Sequence, residues 1–326
     1  MIKKSKKLSI KTIAKLSGVH FSTVSKVLNN YTKEKISDKT VKKIQQAVKK
    51  TGYRRNLLAS RLRNGMDFIA YIACDYSEIN NPFRQEIMGK IQAYLGKCGK
   101  NIIYHEHTED LPDFMQNQAD VSLYKGIIMT GNSGTLLPQV PGLAVLELFR
   151  KTPSMPGASV LMHDENQAAE LALDMCREKK IRKIKLIAVK QVSDTIFRSE
   201  LLKKKAGSRP GISITCEVFN TREEIYSLDG TAARKLCSGC DLVFVLAPFG
   251  MRMYHLLVSS GIKIPEDIYF LLFDDLSSNR FLFPEVSALG LDYNILGQKV
   301  FDFFFKNEKP AALKIPCVLN IRKSLT

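Results

Sequence analysis

From residue 68 onward the chain alternates short apolar runs with amphipathic stretches, and no feature narrows its fold more. Runs at Phe68–Cys74, Ile102–Tyr104, Gly126–Thr130, Ala144–Leu148 and Ser159–Met162 read as strands, as do 183–189, 212–219, 241–247 and 268–273. Between them lie helical patterns at Pro82–Cys98, 165–179, 194–205, 223–237 and 249–260, with a weaker one near 112–123. A last strand is expected at 315–322. Strands that are apolar throughout, separated by helix-length spacers, predict parallel sheets with both faces covered by helices. The strand count exceeds one compact sheet, so two similar halves are expected, breaking near residue 162. At 326 residues the chain is also long enough for more than one domain.

The segment before this body is different in kind. Residues 1–65 hold 14 Lys and 4 Arg against Glu34 and Asp38, a net +16 of the chain's formal +17. The remaining residues nearly cancel at +1, so a basic head sits on a neutral body. That partition predicts a polyanionic partner for the head. Apolar residues in the head recur at helical spacing: Ile10, Ile13, Ala14 and Ser17; then Val24, Val27 and Leu28; then Val41, Ile44, Ala47 and Val48. Gly18 suits the end of the first helix and Ser37 the N-cap of the third. Three short helices, the first two joined by a tight Gly-Val turn, have the layout of a helix-turn-helix domain over residues 1–53.

Such a unit lays its second helix, about 21–29, in the major groove. Phe21, Ser22 and Lys26 lie opposite the apolar stripe and are expected at base edges. Lys26 suits guanine, and Phe21 suits a thymine methyl. Thr23 and Ser25 are expected at phosphates, which fix register without reading sequence. A small basic bundle that binds RNA or a protein is the bland alternative.

The run from Leu8 to Asn29, with its Ala14-x3-Gly18-Val19-x3-Thr23-Val24-Ser25-x-Val27-Leu28-Asn29 pattern, resembles the N-terminus of LacI-type (LacI/GalR) bacterial transcriptional regulators. So do Ile36-Ser-Asp-Lys-Thr-Val41, Gly52-Tyr53 and Asn56. The resemblance implies DNA contacts for Asn29 and Tyr53, and a hinge helix or linker over 54–65. In that hinge Asn56 would cap the helix, Leu62 would wedge into the minor groove and Ala59 would pack closely beside it. An amphipathic linker whose leucines pack on the body competes with that reading. Two positions depart from the family: His20 stands where Ser is usual, and Arg55 replaces the Pro before the hinge Asn.

In the body the resemblance rests on Asn81-Pro-Phe83, Gly261-Ile-Lys-Ile-Pro-Glu-Asp267, Phe273-Asp274-Asp275 and Leu296-Gly297. It implies a periplasmic-binding-protein-like regulatory domain over 66–326, with two Rossmann-like parallel-sheet subdomains. One takes in about 66–162 and 292–316, the other about 163–291 and 317–326. Open α/β sheets bind ligands outside the carboxyl ends of their strands. The cleft is therefore expected at Asp75, Tyr76, Asn81, Phe83, Thr130–Ser133, Arg198 and Asp274. By resemblance, Asp75, Tyr76, Phe83, Arg198 and Asp274 would hold a small, sugar-like effector. An Arg198–Asp274 ion pair without ligand is the competing reading. Ala247-Pro248 replaces the usual Asn-Asp, and Lys180-Ile181 the usual Gly-His.

Other chemistry finds little support. Motifs for phosphate-cradling loops, nucleophile elbows and helical zinc sites are missing, so no enzyme, metal or cofactor is expected. Cys237-Ser-Gly-Cys240 is a single Cys-x-x-Cys without a second pair, and His105-Glu-His107 lacks a third ligand. Seven scattered cysteines, no secretory signal and no membrane span predict a cytoplasmic protein. A homodimer on pseudo-palindromic operator DNA is expected, with Ile87, Ile91, Met251, Tyr254 and Leu257 as candidate contacts. The expected activity is that of a repressor under effector control. A solute-binding protein, a cleft enzyme using Cys237 and Cys240, and a regulator that has lost effector control are the alternatives.

Overall fold

Short stripes become short helices in the basic head. α1 (Ile10–Ser17) begins at Ser9, whose N–H donates to Thr12 Oγ1 at 3.4 Å. It ends at Gly18, whose φ of 66° is a left-handed conformation that glycine adopts without a side-chain clash. That reversal sends α2 (Phe21–Leu28) back across α1, and α3 (Asp38–Thr51) closes the unit. Ser37 Oγ accepts the Thr40 N–H at 3.4 Å, and Asp38 at the start of α3 with Lys49 and Lys50 at its end complement the helix dipole. Ile13, Val24 and Ile44 are fully buried and, among the described residues, form with Ala14 and Ala47 the buried core of the head, on which Ile10, Val19, Val27, Leu28, Val48 and Tyr53 pack.

This computed structural model describes residues 9–28, 36–51, 53, 68–74, 80–105, 124–131, 142–150, 152–246 and 250–326. The chain divides into two compact units, Met1–Met66 and Asp67–Thr326. The expected hinge at 54–65 and the weak helix near 112–123 lie outside the described residues.

The second unit contains two six-stranded sheets. The first is built from β1 (Phe68–Ala73), β2 (Asn101–His105), β3 (Gly126–Thr130), β4 (Ala144–Leu148), β5 (Ser159–His163) and β11 (Ala312–Ile315), in the order β11-β5-β4-β3-β1-β2. Every neighbouring pair in it is parallel. The second uses β6 (Lys183–Val189), β7 (Ser213–Phe219), β8 (Leu242–Val245), β9 (Tyr269–Phe273), β10 (Ser287–Leu291) and β12 (Cys317–Asn320), in the order β12-β10-β9-β8-β6-β7. Only β12 runs antiparallel to its neighbour. The helices are α4 (Pro82–Lys97), α5 (Glu165–Glu178), α6 (Ser193–Ala206), α7 (Arg222–Tyr226), α8 (Gly230–Leu236), α9 (Gly250–Ser259) and α10 (Tyr293–Phe305). No helix among the described residues is long and apolar enough to cross a membrane.

The chain passes from one sheet to the other after β5, after β10 and between β11 and β12. These passages bond to one another: Asp164 N–H donates to Ile315 O at 2.8 Å, and Asp292 N–H to Pro316 O at 2.9 Å. Two sequence expectations are corrected here. The strand expected at 315–322 is two strands in different sheets, divided by Pro316, which has no N–H to continue a ladder. The helix expected at 223–237 is broken, because the Asp229 carboxylate accepts the Ala232 N–H at 2.7 Å and starts α8 afresh.

α10 returns to the first half and packs on α4, joining Leu296, Val300, Phe303 and Phe304 to Ile87, Ile91 and Leu95 in one core. The helices meet at Gly297, where an added Cβ would lie 2.5 Å from Tyr94 Cβ. Gly297→Val is expected to lower the stability of the second unit by about 1–3 kcal/mol through overpacking, measured as a lower midpoint in calorimetric unfolding.

Candidate functional site

Two surfaces concentrate functional chemistry, one in each unit. In the head, α2 buries Val24 in the core, packs Val27 and Leu28 against it, and presents Phe21 to solvent. At about 1.5 Å per residue it is roughly 12 Å long, and its width with side chains suits the DNA major groove. Phe21 is exposed, while Ser22, Thr23, Ser25 and Lys26 are half-buried around the same helix. An open groove lined by Lys11, Ala14, Lys15, Gly18, Val19, His20 and Phe21 flanks its N-terminus.

His20 holds the N-terminal turn of α2. Its Nδ1 faces Ser22 Oγ at 2.8 Å and the Ser22 N–H at 3.4 Å, and its carbonyl accepts the Thr23 N–H at 3.0 Å. The imidazole also packs on Phe21, with ring centroids 4.3 Å apart. The first turn of α2 is thus held as a unit before any partner arrives. Tyr53 packs against the head core and its N–H donates to Thr51 Oγ1 at 3.4 Å, so it also has a structural role. Asn29, Asn56, Ala59 and Leu62 lie outside the described residues.

In the second unit the carboxyl ends of β5, β8 and β9 converge on Arg198. The guanidinium is buried, and Glu165 at the start of α5 chelates it: Nε lies 3.1 and 3.0 Å from the two carboxylate oxygens, and Nη2 lies 2.9 Å from Oε1. Nη1 donates to Leu246 O at 3.3 Å, Nη2 lies 3.3 Å from His163 Nδ1, and the group stacks 3.6 Å from the Phe273 ring centroid. Burial alone would favour the neutral base, yet Glu165 and Asp274 hold the Arg198 pKa above its ordinary value. The space beside the guanidinium is only about 10 Å³, room for at most one water.

The carboxylate that pairs with Arg198 is Glu165, not the Asp274 of the competing ion-pair reading. Asp274 follows β9 with a left-handed φ of 74°, and its Oδ1 lies 3.4 Å from His163 Nε2. Both atoms are buried and lack a hydrogen bond. A positive φ at a non-glycine residue with an unmet polar atom is the kind of strain that gathers at functional sites. Around His163 lie Phe83, Phe149 and Phe273, at centroid distances of 5.7, 5.0 and 5.3 Å, so rings from both sheets meet there.

Other expected cleft residues have different duties. Asn81 caps α4, its Oδ1 accepting the Phe83 N–H at 3.0 Å. Thr130 is fully buried, with its hydroxyl 2.9 Å from the Tyr71 hydroxyl. Asp75 and Tyr76 lie outside the described residues. Glu165, His163 and Phe149 were missed by sequence reasoning. The signal available was His163-Asp-Glu165 at a strand-to-helix junction.

The Cys-x-x-Cys pair is poorly suited to redox or nucleophilic chemistry. Burial pushes the Cys237 thiol up to about 12 and Cys240 up to about 11, which keeps both protonated at neutral pH. His105 Nε2 lies 2.8 Å from the Tyr124 hydroxyl, and the described residues contain no group of three or more potential metal ligands.

The family model for bacterial regulatory proteins of the lacI family matches residues 9–56. The maltose regulon regulatory protein MalI of Vibrio furnissii is 34% identical over 113 residues, which cover 32% of this chain and 79% of that protein. The ribose operon repressor of Lactococcus lactis is 21% identical over 314 residues, 91% of this chain and 90% of the other. Among solved structures, a lac repressor dimer bound to operator and the anti-inducer ONPF superposes with a TM-score of 0.68 at 16% identity, over 98% of this chain and 99% of that one. This last likeness shows the fold.

The thiol assignments are open to a direct check. In the native protein at pH 8, a disulfide reagent such as DTNB should modify exposed Cys98 promptly. Cys237 and Cys240, with roughly 0.1% thiolate or less, should react only on unfolding. Equal rates for all three would refute their protonated, buried state.

Proposed function

This chain belongs to the LacI family of bacterial regulatory proteins, and from that premise we propose that it is a sequence-specific repressor that reads operator DNA with α2. The observation that carries the proposal is the construction of the head. A core of five buried residues holds α2 outward, with His20 fixing its first turn, on a segment that carries nearly all of the chain's excess charge. Phe21, Ser22 and Lys26 take base edges, Thr23, Ser25 and Asn29 take phosphates, and Tyr53 braces the docked unit. Residues 1–53 are the DNA-binding domain, 54–65 the hinge, with Asn56, Ala59 and the Leu62 wedge, and 66–326 the regulatory body. Relatives named for ribose and maltose operons support a sugar-like effector in the cleft between the sheets.

A second reading is favoured by Arg198. Glu165 already accepts from Arg198 Nε and Nη2, and aromatic rings pack around His163, so these donors are satisfied within the chain rather than by an effector. On this reading the body has lost effector control. Operator affinity that changes with a candidate sugar supports the first reading, and affinity indifferent to all of them supports the second.

We also propose that the operator is bound by a homodimer. Ile87, Ile91, Tyr254 and Leu257, expected as contacts, are buried in the chain's own cores and cannot serve a partner. Among the described residues, the exposed apolar side chains near α9 include Met251, Val258, Phe281 and Phe283, the last two being 86% and 94% exposed. Ser278 Oγ donates to Met251 Sδ at 3.6 Å, and Tyr254 Oη donates to Pro284 O at 2.9 Å, so helix and loop form one face. A second copy of this chain is its occupant.

Selection of bound duplexes from random DNA should return a pseudo-palindrome. Changing Lys26 should alter the preferred base, whereas Lys42→Ala or Lys43→Ala should lower affinity for all sequences and flatten the salt dependence. Phe281→Asp with Phe283→Asp should raise the dimer dissociation constant by about 10²-fold or more in sedimentation, given ~1.5–3 kcal/mol for each buried ring.

A further inference from the structure

One edge of the second sheet carries a cluster of cations that the proposed function does not use. α5 ends at Arg177-Glu178, the connection continues through Lys179-Lys-Ile-Arg182, and β6 opens with Lys183. α6 ends in Lys203-Lys204-Lys205. Both helices run against the strands they cover, so their carboxyl ends lie beside the amino ends of β6 and β7. Lys205 Nζ reaches Glu170 Oε1 at 2.5 Å and Arg209 Nη1 reaches Asp174 Oδ1 at 2.9 Å, tying α6 and its following turn to α5. Ser213 N–H donates to Arg182 O at 2.6 Å. Residues 177–185 and 203–213 therefore form one continuous surface.

Its cations divide into two groups. Lys205, Arg209 and Arg177 pair with Glu170 and Asp174. Lys180, Arg182, Lys183, Lys203 and Lys204 are exposed, and among the described residues none has a carboxylate within ion-pair distance. A nearby acid, Asp241, is engaged elsewhere: its Oδ2 accepts the backbone N–H groups of Arg182 and Lys183, both at 2.8 Å.

Helix dipoles account for Lys203 and Lys204, which end a helix. They do not account for Lys180, Arg182 and Lys183, which lie beyond one. Lys180 sits at a φ of 58°, closing α5 while the Ile181 N–H donates to Cys176 O at 2.8 Å. Capping favours glycine at such a position. A cation stands there against that local preference.

We propose that this edge is a second, sequence-independent DNA contact, which binds the phosphate backbone of a duplex other than the one read by α2. Four lysines and Arg182, exposed and without an ion pair among the described residues, match what a backbone asks of a protein. A protein partner fits less well, because the intervening Gly207-Ser-Arg-Pro-Gly211 turn offers no aromatic or aliphatic anchor for an interface core. The edge lies at the amino ends of the strands, whereas Arg198 and Asp274 lie at the carboxyl ends, so the duplex leaves the cleft free. A regulator built this way bridges two DNA segments.

The test uses the full chain and rests on the operator reading only for its first step. Protein is loaded on an immobilised selected operator, and a labelled duplex of unrelated sequence is offered. The wild type should capture the second duplex at low salt and release it as salt rises. The variant R182E/K183E/K203E/K204E should keep its operator affinity, which also reports that it is folded, and capture at least ~10-fold less second duplex. Equal capture by the variant, or no capture by operator-loaded wild type, would overturn the proposal. So would equal displacement of the second duplex by polyglutamate and by DNA of matched charge, which would mark a general acidic-partner site. If the wild type binds no operator at all, the function proposed above fails. Direct low-salt binding of the unrelated duplex, wild type against variant, then still decides the edge.

Discussion

Parallel strands cannot be joined by tight turns, and that constraint organises the second unit. Each strand must be left at its carboxyl end and the next entered from the opposite end, so helices cover both sheets and loops collect at the carboxyl edges. The chain also changes sheets three times, and Phe83 and Phe149 of the first half meet Phe273 of the second around His163, at the carboxyl ends of β5 and β9. Arg198, Glu165, His163 and Asp274 meet there. The crossings are cross-bonded through Asp164–Ile315 and Asp292–Pro316, and buried Asp275 forks onto Arg322 at 2.8 and 2.7 Å nearby. Removing one partner of such a buried pair costs about 3–5 kcal/mol, because it leaves the other charge buried without an answer.

Electrostatics divide the labour in the same way. The head's charge is held on short helices with a minimal core, and its remedy is a polyanion rather than an internal carboxylate. In the body almost every buried charge has an internal answer: Arg198 has Glu165, Arg322 has Asp275, and Glu147 accepts from Ser154 and pairs with Arg150. Two of the buried atoms without a hydrogen bond, His163 Nε2 and Asp274 Oδ1, lie 3.4 Å apart where β5 of the first sheet and β9 of the second end. The body's near neutrality is an average, since the edge around Lys180, Arg182 and Lys183 is locally basic.

The fold was legible because its signals are local. Runs such as Phe68–Ala73 and Leu242–Val245 are apolar throughout and are buried throughout. The first errors came where one residue redirected the chain, at Pro316 and at Asp229. The larger misses concern partners distant in sequence. Arg198 could be picked out by type and position, but its partner lies 33 residues away and nothing local selects Glu165 over Asp274. The apolar face of α4 could be seen, but periodicity does not say whether Ile87 and Ile91 face their own sheet or another subunit; they face α10 and the first sheet. The exposed Phe281 and Phe283 had no periodicity to betray them.

The central claim is that the head reads sequence rather than merely binding polyanions. Its most direct test is the affinity of the full chain for a selected operator and for a scrambled duplex, measured by fluorescence anisotropy from 50 to 200 mM salt. Both affinities should fall, the operator's by as much as ~10³–10⁵ if about 6–10 phosphates are contacted, and the operator should stay ahead by roughly 10³ or more throughout. Equal affinity for the two duplexes at every salt concentration would contradict the account.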